Sequence, residues 1–222
     1  MFDPFDPSHL RNQRYREYTR QRQYGTNDIL LDNRIIFFGC IGSSFYEPII
    51  NDMTANVVIQ QLLYLQYENK NQEIHFYINS PGGSVTATLA IYDTMQFLEC
   101  PIATYCMGIA ASGAAILLAA GSHGKRYCLP HAKVMLHQPW SQGMSGQASD
   151  VEIEMREILK EKRRLNEILS NHTGRSIEQI EAETERNRYF SAQEAKEFGL
   201  VDEVLVKIAD EKSEKKEGNG PR

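Results

Sequence analysis

Short apolar runs and longer amphipathic stretches alternate through the middle of the chain. Arg34–Gly39 (RIIFFG), Ile74–Asn79 (IHFYIN), Ile102–Met107 (IATYCM) and Lys133–His137 (KVMLH) are rich in β-branched and aromatic residues. Each stops at or just before Gly, Ser or Pro, so each predicts a buried strand. Between them, Thr54–Tyr67, Ser84–Phe97 and Ser112–Ala120 predict helices. Strand, helix, strand in this order predicts an α/β fold of parallel strands joined by crossover helices.

One helical stretch differs in scale. From Gln147 to His172, Val151, Met155, Ile158, Leu165, Ile168 and Leu169 recur at helical spacing with charges between them. Such a helix would be roughly 40 Å long, more than a core of this size covers from one side. Its apolar stripe runs to the end, which predicts that the outer part packs on another subunit. The ends of the chain have no such pattern. Residues 1–26 carry Arg11, Arg14, Arg16, Arg20 and Arg22 among polar and Tyr residues, which predicts a mobile basic arm or docking segment rather than an RNA-binding arm. Residues 209–222 are charged, contain Gly and Pro, and are expected to be a disordered tail. The folded body is therefore expected over residues 27–208.

Composition narrows the class. The chain has 222 residues, with 41% hydrophobic and 24% charged, which fits one globular domain plus tails. A net charge of -5 gives no general attraction for nucleic acid or anionic membrane. The first ten residues lack a secretory h-region. The longest apolar run, Ile109–Gly121, is too short for a membrane span and is interrupted by Ser112. Cys40, Cys100, Cys106 and Cys128 show no CxxC spacing and lie in or beside apolar segments, as reduced core thiols of a cytoplasmic protein do. Neither a metal site nor a cofactor site is expected.

Candidate chemistry concentrates in three places. Asn79-Ser80-Pro81-Gly82-Gly83-Ser84 ends one strand and opens a helix, so backbone N–H groups there can approach an anion. Gly108-Ile109-Ala110-Ala111-Ser112-Gly113-Ala114-Ala115 sets a hydroxyl among small residues where an apolar helix begins. A helix N-cap would explain such a serine equally well. Ala110 stands where a GxSxG elbow needs glycine, which argues against an α/β-hydrolase. His137 ends a strand in the neighbouring unit; His9, His75, His123, His131 and His172 lack a comparable setting.

The runs YINSPGGSV, IYDTMQF, GIAASGAAILLAAG, KRYCLPHAKVMLHQP, GQASD, HTG and YFSAQEAKEFGLVD closely resemble the proteolytic subunit of the caseinolytic (Clp) protease family. They occur in unbroken order from about Arg34 to Val204. The resemblance implies a crotonase-like αβ superhelix, with the long helix as a protruding handle between two stacked heptameric rings. It implies Ser112 as nucleophile, His137 as general base, and Gly83 and Gly113 as the oxyanion-hole positions. It places Glu185 and Arg186 at the contact between rings. It also implies a serine endopeptidase that cleaves short peptides in a barrel-shaped chamber without ATP. Whole proteins would be threaded in by an AAA+ unfoldase of the Clp type, which uses ATP and Mg itself, since this chain has no GxxxxGK[ST] loop.

The sequence departs from the family pattern at three points. Asn187 falls where the family has the aspartate that orients the base. An Asn carbonyl still accepts a bond from the His Nδ1–H but offers no charge to the imidazolium; the Asp→Asn change in a trypsin-like triad lowers kcat by about 10⁴-fold. The stretch Cys40–Ala55 is several residues longer than usual, near where such subunits receive their unfoldase, and Trp140–Gly146 is about one residue longer. Two other readings follow: a weakly active or inactive structural subunit beside an active paralogous proteolytic subunit, and a crotonase-type acyl-CoA enzyme on the same fold, which would not need Ser112 and His137.

Overall fold

The strands β1 (Ile35–Phe38) and β3 (Ile74–Ser80) bury every second residue, the pattern of a sheet with one face on the core. These belong to a computed structural model that describes residues 25–39, 49–139, 143 and 145–206. The expected tail, Cys40, and almost all of the expected arm lie outside the described residues, as do parts of both lengthened segments. The remaining elements are α1 (Thr26–Asp32), β2 (Ile49–Ile50), α2 (Asp52–Glu68), β4 (Gly82–Gly83), α3 (Val85–Phe97), β5 (Ile102–Ala111), α4 (Gly113–Ala119), β6 (Arg126–Cys128), β7 (Lys133–Leu136), α5 (Ala148–Thr173), α6 (Ile177–Thr184), β8 (Arg188–Ser191), α7 (Ala192–Phe198) and β9 (Glu203–Val204).

Strands β1, β3, β5, β6 and β9 form a parallel sheet in that order, with the expected helices as crossovers. Ile74, Phe76, Ile78, Ile91, Leu62, Leu65, Leu117 and Leu118 are completely buried and form its core. The opposite face carries Tyr77, Tyr105 and Tyr127, stacked with ring centroids 4.4 and 5.0 Å apart.

Strand β5 is longer than the sequence predicts, and the extension matters for function. Its first half, Thr104–Cys106, pairs with β6; its second half, Ile109–Ala111, pairs with β7. The change of partner occurs at Gly108, whose φ of 72° few other residues adopt. Asn79 supports the bend, since its Oδ1 accepts the Ile109 N–H at 3.2 Å. The bulge, which the register shift between β3 and β5 records, therefore steers the end of β5 toward β7.

Arg126 is buried at the join between β6 and β9. Its guanidinium pairs with both carboxylate oxygens of Asp202 (2.6 and 3.0 Å) and donates to the carbonyls of Ala119, His172 and Gly199. Burial alone would raise the Asp202 pKa, but Arg126 outweighs it and holds the carboxyl below its usual range.

The 26-residue α5 spans about 39 Å. Its C-terminal part packs on the core through Leu165, Ile168 and Leu169. Its N-terminal part leaves Ile153 (58%), Met155 (48%) and Leu159 (56%) exposed. No helix among the described residues is long and apolar enough to cross a membrane.

Candidate active site

Ser112 stands between β5 and α4, with its N–H bonded to the Met135 carbonyl of β7 at 2.8 Å. Only Ser112 lies between the end of the strand and the start of the helix, and it makes the turn with φ 55° and ψ -125°. A non-glycine residue held there costs on the order of 1–3 kcal/mol. The residue occupies the N-cap position of α4, but its side chain makes no capping bond. The hydroxyl is thus not used as a cap, the simpler explanation for this serine.

Two glycines beside it have no room for a side chain. A Cβ on Gly113 would overlap the Thr88 side chain, and one on Gly83 would overlap the Ile50 carbonyl. Gly83 is held there by the two-residue parallel pair β2–β4, in which Ile50 lies opposite Gly83 and accepts the Ser84 N–H at 2.8 Å. The Ser84 side chain then caps α3 through the Ala87 N–H.

His137 and Asn187 are brought together by register. β7 and β8 are antiparallel, with Met135 opposite Tyr189 and Leu136 opposite Arg188. One step further along the same ladder places His137 opposite Asn187. The Asn187 side chain lies close enough to act on the His137 ring as a hydrogen-bonding neighbour. Burial lowers the His137 pKa from its ordinary value of 6.5, and Asn187 partly opposes that shift. The next residue anchors the pair: Gln138 N–H donates to the Thr184 carbonyl (3.0 Å) and Gln138 Nε2 to Thr184 Oγ1 (2.5 Å).

Ser112, Gly83, Gly113 and His137 line one cavity, walled by Ile116, Leu136, Leu165 and Leu169. Glu185, Arg186 and Asn187 line a second cleft on the other side of His137. No hydrogen bond joins Ser112 to His137 among the described residues; such bonds are often loose until substrate arrives.

The Clp protease family model matches residues 18–208 of this sequence. The chain belongs to the Clp protease family. A named relative, the ATP-dependent Clp protease proteolytic subunit 1 of Rhodopirellula baltica, is 54% identical over 192 residues, covering 86% of this chain and 81% of that protein. Serine endopeptidase activity is the known activity of Clp proteases, and the parallel sheet with crossover helices is the Clp protease fold. Every residue singled out from the sequence for chemistry in this Clp protease chain lies in or beside the two clefts. Three further residues that line the first cleft, Gln138, Asn166 and Thr184, were not singled out. Gln138 directly follows the histidine in the HQP run, the one signal available for it. Asn166 and Thr184 sit within helical patterns and carry no such mark.

Proposed function

We propose that this chain is the peptide-cleaving subunit of an ATP-dependent proteolytic assembly, with Ser112 as nucleophile, His137 as general base and Asn187 orienting the base. The observation that supports this most strongly is the convergence of three strand ends. The β5–β7 and β7–β8 registers bring Ser112, His137 and Asn187 to one edge of the fold. In the reaction, a peptide carbonyl lies over Ser112 with its oxygen toward the N–H groups of Gly83 and Gly113. His137 takes the hydroxyl proton as Oγ attacks, and the two N–H donors stabilise the oxyanion by roughly 3 kcal/mol each. His137 then protonates the leaving amine, and water releases the acyl group by the reverse sequence.

The test is labelling with a fluorophosphonate probe followed by peptide mapping. The adduct is expected on Ser112 and absent from Ser112→Ala. An adduct on another residue, or equal labelling of the variant, would refute the assignment. An acyl-CoA enzyme would leave Ser112 without a role, and the family membership argues against it. A weakly active subunit of a mixed assembly keeps one supporting observation, the neutral side chain of Asn187 at the base.

We further propose two stacked seven-membered rings, joined through α5 and the Glu185–Arg186 segment and fed by an AAA+ Clp unfoldase, with no cofactor in this subunit. Ile153, Met155 and Leu159 are large apolar side chains of α5 that this chain alone leaves exposed. Ile153→Glu combined with Leu159→Glu is expected to shift the large particle to single rings or smaller species in gel filtration. Leu165 is unsuitable for this test, because it packs on the subunit's own core. A wild-type chain that is monomeric in every condition would exclude the ring assembly.

A further inference from the structure

The nucleophile strand and the oxyanion turn are both tied to one dipeptide, Asn79-Ser80, at the end of β3. Ile78 lies opposite Cys106 and Ser80 opposite Ala110, so Asn79 alone faces Met107, Gly108 and Ile109 of β5. A ladder interrupted in this way leaves β5 groups without backbone partners across from them. The Asn79 side chain fills the gap: its Oδ1 accepts the Ile109 N–H at 3.2 Å. The fit is close, since a Cβ on Gly108 would overlap that same oxygen. Ser112 follows three residues after Ile109. The neighbouring side chain acts on the oxyanion turn. Ser80 is completely buried, and its Oγ accepts the Gly82 N–H at 3.1 Å, which closes the turn that presents Gly83. Gly82 itself lies against Ser112, with no room between them for a Cβ.

We infer that Asn79 and Ser80 are positioning residues for peptide cleavage, Asn79 setting the course of the strand that carries Ser112 and Ser80 setting the oxyanion donor of Gly83. The inference rests on the peptidase reading of Ser112. Neither residue lines the cleft at Ser112, so each acts through the backbone it holds. Attack requires Oγ and the two N–H donors to converge on one carbonyl, and a misplacement of about 1 Å costs on the order of 100-fold in rate. His137 is aligned by a different ladder, the one between β7 and β8.

The test uses the assembled full-length protein, with kcat and KM for a fluorogenic peptide and the rate of Ser112 labelling by a fluorophosphonate measured for each variant. Asn79→Leu keeps the size but loses the acceptor. It is expected to lower kcat and the labelling rate together by about 10–100-fold, with KM within about twofold of wild type. Asn79→Asp keeps an acceptor oxygen in place and is expected to retain both rates within about fivefold. Ser80→Ala is expected to lower both by about tenfold, since it displaces an oxyanion donor without removing it. The acid limb of kcat/KM, which reports His137, is expected at the wild-type pH in every variant. Wild-type rates in folded Asn79→Leu or folded Ser80→Ala overturn the inference. A shifted acid limb, or a KM that rises in step with the loss of kcat, overturns it too. Should Asn79→Leu not assemble, Asn79→Gln moves the acceptor by one methylene and is expected to be about tenfold slower than Asn79→Asp; equal rates overturn the inference. A wild-type chain left unlabelled removes the peptidase reading and the inference together. A labelled wild type beside unaffected variants removes only the inference.

Discussion

Ser112→Ala is expected to reduce peptide turnover by about 10⁴-fold at unchanged oligomeric state. Loss of the serine from an intact triad costs about 10⁶-fold, and this site begins below that level because Asn187 supplies no charge. The activity that remains reflects the donors of Gly83 and Gly113, which do not depend on the hydroxyl. The substitution should leave the fold in place, since the Ser112 backbone bonds to Met135 and Ala115 involve no side chain. The measurement is kcat with a fluorogenic peptide beside a thermal melt. Residual activity within tenfold of wild type would mean that another residue performs the attack.

Asn187→Asp is expected to raise kcat by one to two powers of ten. The carboxylate would occupy the ladder position opposite His137 and stabilise the imidazolium that forms as Ser112 attacks. KM should change little, because that charge plays no part in ground-state binding. The surroundings favour this outcome. Arg188, one neighbour of the new carboxylate, is already paired with Glu183 at 3.3 Å and lies over the Phe190 ring at 5.2 Å. Burial, which lowers the His137 pKa, and the Asn187 side chain, which opposes it, are the influences on that ring. The pH profile carries a second signature. A base acts when neutral, and burial lowers the His137 pKa, so the acid limb of wild-type kcat/KM should lie below pH 6.5. A carboxylate favours the charged imidazole and should move that limb to higher pH. Asn187→Ala should lower kcat by releasing the ring; equality with wild type would remove Asn187 from the mechanism.

The crossover fold was legible because its elements announce themselves locally. Ile74–Ser80 buries alternate residues, and the expected helices lie within a few residues of α2, α3, α4 and α5. What stayed hidden depends on distant pairing. Ser112 and His137 were legible through the family resemblance, but nothing in Arg188–Ser191 alone says that it runs antiparallel to β7. That pairing is what aligns Asn187 with the base. Likewise the extension of β5 past Gly108 conflicts with local preference, since a glycine usually ends a strand. It continues because Asn79, 30 residues away in sequence, supports the bend. The two-residue strands β2 and β4 are too short for any periodicity, yet they hold Gly83 in place.

The buried Arg126 has a consequence for how the chain is made. Of its acceptors, only the Ala119 carbonyl precedes it; His172 follows 46 residues later and Asp202 follows 76 residues later. At about 5–20 residues per second, a ribosome needs roughly 4–15 seconds to cover the stretch from Arg126 to Asp202. During that interval the guanidinium cannot enter the core without leaving an unpaired charge behind it. In the finished fold β9 closes the sheet beside β6, so strands made early take their last neighbour from near the end of the chain. A chain cut short before Asp202 would leave the β6 edge of the sheet uncovered and Arg126 without its carboxylate partner.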